Sequence, residues 1–360
     1  MPPWHCPYAV GEVRLSGFDC LQMKAGTYNY TTKKLPFDTI NVWILRFTFV
    51  FKRKIIVLFA LSLSLMGWAQ YDVSFSHYFD LEPSFNPASV GKEAVINATA
   101  AYALDLAGFT HNPQTMYFAG DMPFYALKTY HGVGIQLMSD KLGLFDHQRL
   151  AAQYAIRHKL FGGQLAYGVQ VGMLSEKFDG SKVELEVDDD PVFTKSELNG
   201  TALDIDFGLY YTHRNWYAGV SAKHLTAPLV HLGETNELQI DRTYYLTGGY
   251  NIRLRSPFLK IKTSFLVRTD MVALRGDVTG RLVYTNDNKM MYLGAAYSPT
   301  NSVTFLIGGN VHGIVMGYSY EVYTSAINIG NGSHELFLGY QVDVNLVKKG
   351  RNLHKSVRIL

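Results

Sequence analysis

Between Glu93 and Asp343 the chain returns again and again to one pattern: about ten residues of alternating apolar and small or polar side chains, then a turn. Residues 164–173 show it most clearly. Leu165, Tyr167, Val169, Val171 and Met173 fall on one face; Gln164, Ala166, Gly168, Gln170 and Gly172 fall on the other. Successive side chains of a strand point to opposite faces, so each such unit is a strand with one oily side. In a soluble sandwich the second side would carry many charges. Here it carries mostly Gly, Ser, Gln and Tyr, which suits an apolar band facing lipid around a polar interior. The pattern predicts an all-β fold, a transmembrane antiparallel β-barrel of about fourteen strands, an even number as closure with both ends on one side requires.

Composition agrees. Charged residues make up 18% of the chain and aromatics 14%, with 24 Tyr and 32 Gly. That balance fits lipid-facing strands with aromatic girdles better than a soluble enzyme. The formal net charge of +3 is unevenly spread, because a basic tail follows the last strand. That stretch is short and lacks interleaved aromatics, so nucleic acid is not an expected partner.

Ahead of the repeats, Lys52-Arg53-Lys54 precedes the apolar run Ile55 to Met66, and Gly67-Trp68-Ala69 puts small residues where a signal peptidase reads them. Residues 51–69 are therefore expected to be a signal peptide, cut before Gln70. Residues 1–50 are expected to be an extension upstream of the true start near Val50. Both cysteines, Cys6 and Cys20, lie there, so the mature chain would have neither disulfide nor thiolate metal site. Residues 70–92 are expected to form a short periplasmic lead-in, 93–343 the barrel, and 344–360 a basic periplasmic tail. The longer connections mainly follow odd-numbered strands and the short ones mainly follow even-numbered strands. Outer-membrane barrels keep short turns on the periplasmic side, so both termini are expected there, in the outer membrane of a Gram-negative cell.

Alternation sends Asp204, Asp206, Lys260, Lys262, Arg275, Asp277 and Arg281 to the interior. They could form an ion- or substrate-selecting constriction. Their mixed signs on adjacent strands favour mutual pairing that fills the lumen. By the same register, Arg at Val169 or Ile205 would block insertion and Arg at Gln170 would be tolerated. The acidic loop with Glu184, Glu186 and Asp188-Asp189-Asp190 lacks EF-hand order and reads as solvated rather than calcium-binding. No H-E-x-x-H or Walker A motif occurs. Gly132-Val133-Gly134 lacks the third glycine and the helix of a dinucleotide site. In Ser333-His334-Glu335 alternation separates His334 from its neighbours, against a hydrolase triad. No catalysis, cofactor or metal is expected.

Several short pieces, in order, resemble the PorP/SprF family of Bacteroidetes outer-membrane proteins. They are Ser76-His77-Tyr78 with Pro83-Ser84-Phe85-Asn86-Pro87-Ala88 and Gly91; Trp216 to Leu225; Arg242-Thr243-Tyr244-Tyr245 with Gly248-Gly249-Tyr250; and Gly317-Tyr318-Ser319-Tyr320-Glu321 followed by Ser333-His334-Glu335. Tyr102 to Asn112, which holds neither Trp nor Arg, departs from the family's pattern. The resemblance implies a partner role in the type IX secretion and gliding machinery: anchoring periplasmic ring components, or assisting export of a surface adhesin. A passive porin-like channel or hydrophobic-solute transporter is the alternative. Charge and topology make Lys348, Lys349, Arg351, Lys355 and Arg358 a possible periplasmic docking surface, and the interior charges and tyrosines favour a plugged lumen.

Overall fold

Wherever alternation was read, the chain forms strand. The computed structural model describes residues 72–180, 197–233, 236–287, 289–299, 301–325 and 331–345. Residues 1–71, the acidic loop at 184–190 and the tail from Lys348 lie outside the described residues. The strands are β1 (Val95–Leu104), β2 (Gln114–Ala126), β3 (Thr129–Leu142), β4 (Phe145–Leu160), β5 (Gly163–Asp179), β6 (Glu197–Thr212), β7 (Trp216–Lys223), β8 (Leu229–Leu232), β9 (Asn236–Gln239), β10 (Thr243–Arg253), β11 (Leu259–Thr269), β12 (Leu274–Asn286), β13 (Lys289–Ser298), β14 (Ser302–Val311), β15 (Ile314–Tyr323) and β16 (Ser333–Asp343). Fourteen of them close into an antiparallel barrel, with β1 paired to β16 and β7 to β10. No helix among the described residues is long and apolar enough to cross a membrane.

The register follows the predicted faces. Val169, Val171 and Met173 are 45–53% exposed on the outer wall, whereas Gln170 is 1% exposed inside. Leu203, Phe207, Val220, Met316, Leu336 and Leu338 likewise point outward. Tight turns lock this register at one rim. At His312-Gly313, between β14 and β15, φ is +53° and +87°, the left-handed pair a two-residue hairpin requires.

Two features differ from expectation. The long connection after β7 contains a β8–β9 hairpin, paired through Leu229↔Gln239 and Leu232↔Asn236. Its Val230 and Leu232, with Ile240, pack on Leu174 of β5 and Leu198 and Ala202 of β6, folding across that end of the barrel. The second difference concerns the lead-in. Its described part, residues 72–92, lies inside the barrel rather than ahead of it. Phe75, Tyr78, Phe79, Leu81, Phe85, Ala88 and Val90 are all buried. So dense an apolar stretch, with no strand partner of its own, must bury itself against something. The inward faces supply Leu266, Val283, Tyr292 and Leu306 around Tyr78, Phe79 and Phe85, and Tyr117, Val315 and Phe337 around Phe75 and Leu81. The barrel's core is thus the contact between its wall and this segment.

The segment runs from one end of the barrel toward the other. β1 begins and β16 ends at the rim of short turns, as strand parity requires. Asp72, however, contacts Lys223 at the far end of β7. The described chain therefore begins near one mouth of the barrel and ends at the other.

Candidate functional site

The lumenal segment is held at its start, middle and end by different chemistry. At its start, Asp72 is almost fully buried. It accepts hydrogen bonds from Lys223 Nζ at 2.6 Å and from the Tyr245 hydroxyl at 2.9 Å, and lies 3.2 Å from His224 Nε2. Burial alone would raise the Asp72 carboxyl, but Lys223 and His224 hold it well below the usual carboxylate range. Next along, Glu335 of β16 accepts from the backbone N–H of Ser76 at 2.6 Å and of His77 at 3.0 Å, and its carboxylate lies 2.8 Å from His77 Nδ1.

In the middle, the Tyr78 hydroxyl bonds Ser264 at 2.9 Å and Thr279 at 3.1 Å. Asn86 caps a short 3-10 turn at Pro87–Ser89: its Oδ1 accepts from Ala88 N–H at 3.0 Å while its Nδ2 donates to Leu209 O at 3.1 Å. Glu82 takes hydrogen bonds from Tyr210 at 2.9 Å and Lys92 at 2.5 Å.

At the end, Arg157 of β4 donates to the carbonyls of Ala88, Val90 and Gly91. Here the wall must be bare. A Cβ on Gly168 would stand 2.2 Å from Ala88 N, and one on Gly132 would stand 2.1 Å from Val90 O. Only glycine admits so close a backbone approach. Pro87-Ala88 and Gly91 thus pack against glycines of β5 and β3, and Asn86 against Gly208 of β6 and Gly219 of β7.

The seven interior charges read from the sequence are distributed differently from a single network. Asp204 and Asp206 do not pair with the lysines of β11. Both bind Arg149 Nη2 of β4, at 2.6 and 2.5 Å, and Asp204 also lies 2.9 Å from His224 Nδ1. Asp204, Asp206 and His224 bring ligand atoms within 4.8 Å of one another, the spacing of a metal site. Arg149 already occupies both carboxylates, so the arrangement is an ion-pair network, not a cation cradle. Arg281 stacks on Phe79, its guanidinium carbon 3.3 Å from the ring centroid, with Asp80 at 4.0 Å. Arg275 reaches Glu321 at 3.4 Å and Asp277 at 3.6 Å. Lys260 and Lys262 form no ion pair among the described residues. Arg281 thus binds the segment, while Asp204, Asp206, Arg275 and Asp277 pair with side chains of the wall. Arg149 and Arg157 were missed as site residues, although Arg149, Ala151, Gln153, Ala155 and Arg157 alternate on one face of β4.

In Ser333-His334-Glu335, Glu335 faces inward to the segment, while the His334 ring bonds the Tyr318 hydroxyl at 2.7 Å on a more exposed face. The three are not assembled as a triad.

The model of the family described as "Type IX secretion system membrane protein PorP/SprF" matches residues 68–340. Among curated proteins, none matches the chain. The solved structures it resembles include a Pseudomonas aeruginosa FadL homologue (10% identity, 72% of this chain and 93% of that one, TM-score 0.45) and the CymD monoaromatic hydrocarbon channel (8%, 78% and 96%, 0.46). The Pseudomonas putida toluene transporter TodX is another (8%, 72% and 93%, TM-score 0.41).

Proposed function

Since the chain belongs to the PorP/SprF family of type IX secretion system membrane proteins, we propose that it is a sealed outer-membrane barrel that anchors periplasmic components of that machinery or assists export of a surface adhesin. The observation that carries this reading is the filling of the lumen by residues 72–92, tied to the wall from Asp72 to Gly91. A barrel stoppered by its own chain offers its rims and outer wall for work, not a water-filled path. In this reading the rim of short turns, where β1 begins and β16 ends, faces the periplasm. The basic residues Lys348, Lys349, Arg351, Lys355 and Arg358 come after β16 in the sequence and would serve as a docking surface for an acidic periplasmic partner.

Two measurements on the purified full chain test the proposal. In planar bilayers the protein should stay silent, and immobilised protein should capture periplasmic ring components. Stable large conductance would favour the passive channel or hydrophobic-solute transporter instead. Silence with no captured component would remove the anchoring role. Deleting residues 348–360 should weaken capture and leave the barrel folded; unchanged capture would dismiss the tail as the dock.

A further inference from the structure

Away from the segment's contacts, one pair of side chains is placed against ordinary electrostatics. Arg268 of β11 and Arg275 of β12 are direct cross-strand partners, and both point into the lumen. Like charges directly opposite in an antiparallel pair repel. Arg275 finds partial compensation in Glu321 and Asp277. Arg268 does not: it is 4% exposed, and among the described residues no carboxylate lies within ion-pair distance and its Nε and Nη1 have no hydrogen-bond acceptor. The Nε of Arg275 makes no hydrogen bond either, its nearest carboxylate being Asp277 at 3.6 Å. On its other side Arg268 is paired in register with Tyr245, whose hydroxyl is already committed to Asp72. A buried guanidinium stays charged and loses its hydration, so the fold should supply it with an anion.

We propose that Arg268 and Arg275 form a binding site for one small oxyanion, a carboxylate or phosphate group. One of its oxygens would accept from the Nε of Arg268, and the ion would lie between the two guanidinium groups, separating their positive charges. Arg275 is one-third exposed and Arg268 lies deeper, so the ligand enters from the mouth where β11 and β12 are joined. Guanidinium groups suit both planar carboxylates and phosphates, so one site chemistry serves a free anion or an acidic group on a polypeptide.

Thermal unfolding of the full chain in detergent tests this, comparing formate, phosphate and chloride at equal ionic strength. Formate or phosphate should raise the midpoint by about 3 °C over chloride. The better of the two identifies the carboxylate or phosphate source. Arg268→Gln should abolish that rise while leaving the midpoint in chloride unchanged or higher, since it removes an uncompensated charge. Arg281→Gln, which alters an inward arginine engaged with Phe79, should keep the rise. No oxyanion-dependent shift in the unaltered protein would overturn the proposal. So would an equal shift in Arg268→Gln, or a large loss of stability by that variant in chloride, which would reveal a protein partner for Arg268.

Discussion

The carboxylate of Asp72 lies 2.6 Å from the ammonium of Lys223, which ties the start of the lumenal segment to the far end of β7. Both groups are buried, so removing one strands the other. Asp72→Asn should cost about 3–5 kcal/mol where the segment is held. Hydrogen exchange should accelerate over residues 72–79 while β11 to β14 stay protected. The double variant Asp72→Leu/Lys223→Met should do less damage than Asp72→Asn, because it leaves no unpaired charge. Unaltered exchange in Asp72→Asn would show that the contact does not hold the segment.

The wall glycines make a sterically sharper prediction. Gly168→Ala places a Cβ 2.2 Å from Ala88 N and 2.4 Å from Ala88 Cα, and backbone cannot yield as a flexible side chain can. The segment should unseat at that end, making it protease-sensitive and giving transient conductance in bilayers. Gly280→Ala, with nothing within 4 Å of the added carbon, should match the unaltered protein in both assays.

Arginine substitutions separate the outer wall from the inner one. Val169→Arg puts a charge on the lipid side, at about 2–4 kcal/mol near the midplane, and should block membrane insertion. The structure revises what was expected at Gln170. That amide is buried and bonds Asp206 at 2.7 Å, while its oxygen accepts from Gln136 and Gln153. Gln170→Arg should therefore insert but fold less stably, read as a lowered urea midpoint after normal membrane assembly.

Asp105, in the connection after β1, gives a pH signature. Burial, with Glu321 and Glu335 nearby, pushes its carboxyl up to about 6, against about 3.9 in an unfolded chain. The folded state binds the proton more tightly, so this group's contribution is fully present below about pH 4 and is lost as pH rises through about 6. Asp105→Asn should gain on the unaltered protein between about pH 4 and pH 7 when urea midpoints are compared. A constant difference across that range would contradict the shift.

Much of the barrel was legible because its faces obey different rules. Lipid admits only apolar side chains outside, so the alternation around Val169 and Leu336 declared the strands, and turns such as His312-Gly313 closed them. The interior was harder to read. Asp204 and Asp206 lie inside, but their partner Arg149 lies two strands back in sequence, and strand alternation does not say which inward residues meet across a lumen. Residues 72–92 have neither strand nor helix period, so nothing local distinguished a lead-in outside the barrel from a filling inside it. Their dense apolar content, Phe75 to Val90, was the available signal. It becomes decisive only beside the glycines of the facing wall, where Gly168 and Gly132 look from the sequence like ordinary small residues.

The path of residues 72–92 also imposes an order of events on assembly. The segment joins β1 at the short-turn rim and runs back through the lumen to Lys223 near the opposite mouth, which the β8–β9 hairpin overhangs. Once β1 has zipped to β16, it can be drawn in only with its leading end first, past the inward side chains that later pack on it. A folded domain fused directly ahead of Asp72 would therefore either stall closure of the barrel or hold the segment outside it. Biogenesis should then yield two separable products, stoppered and unstoppered, from the same polypeptide.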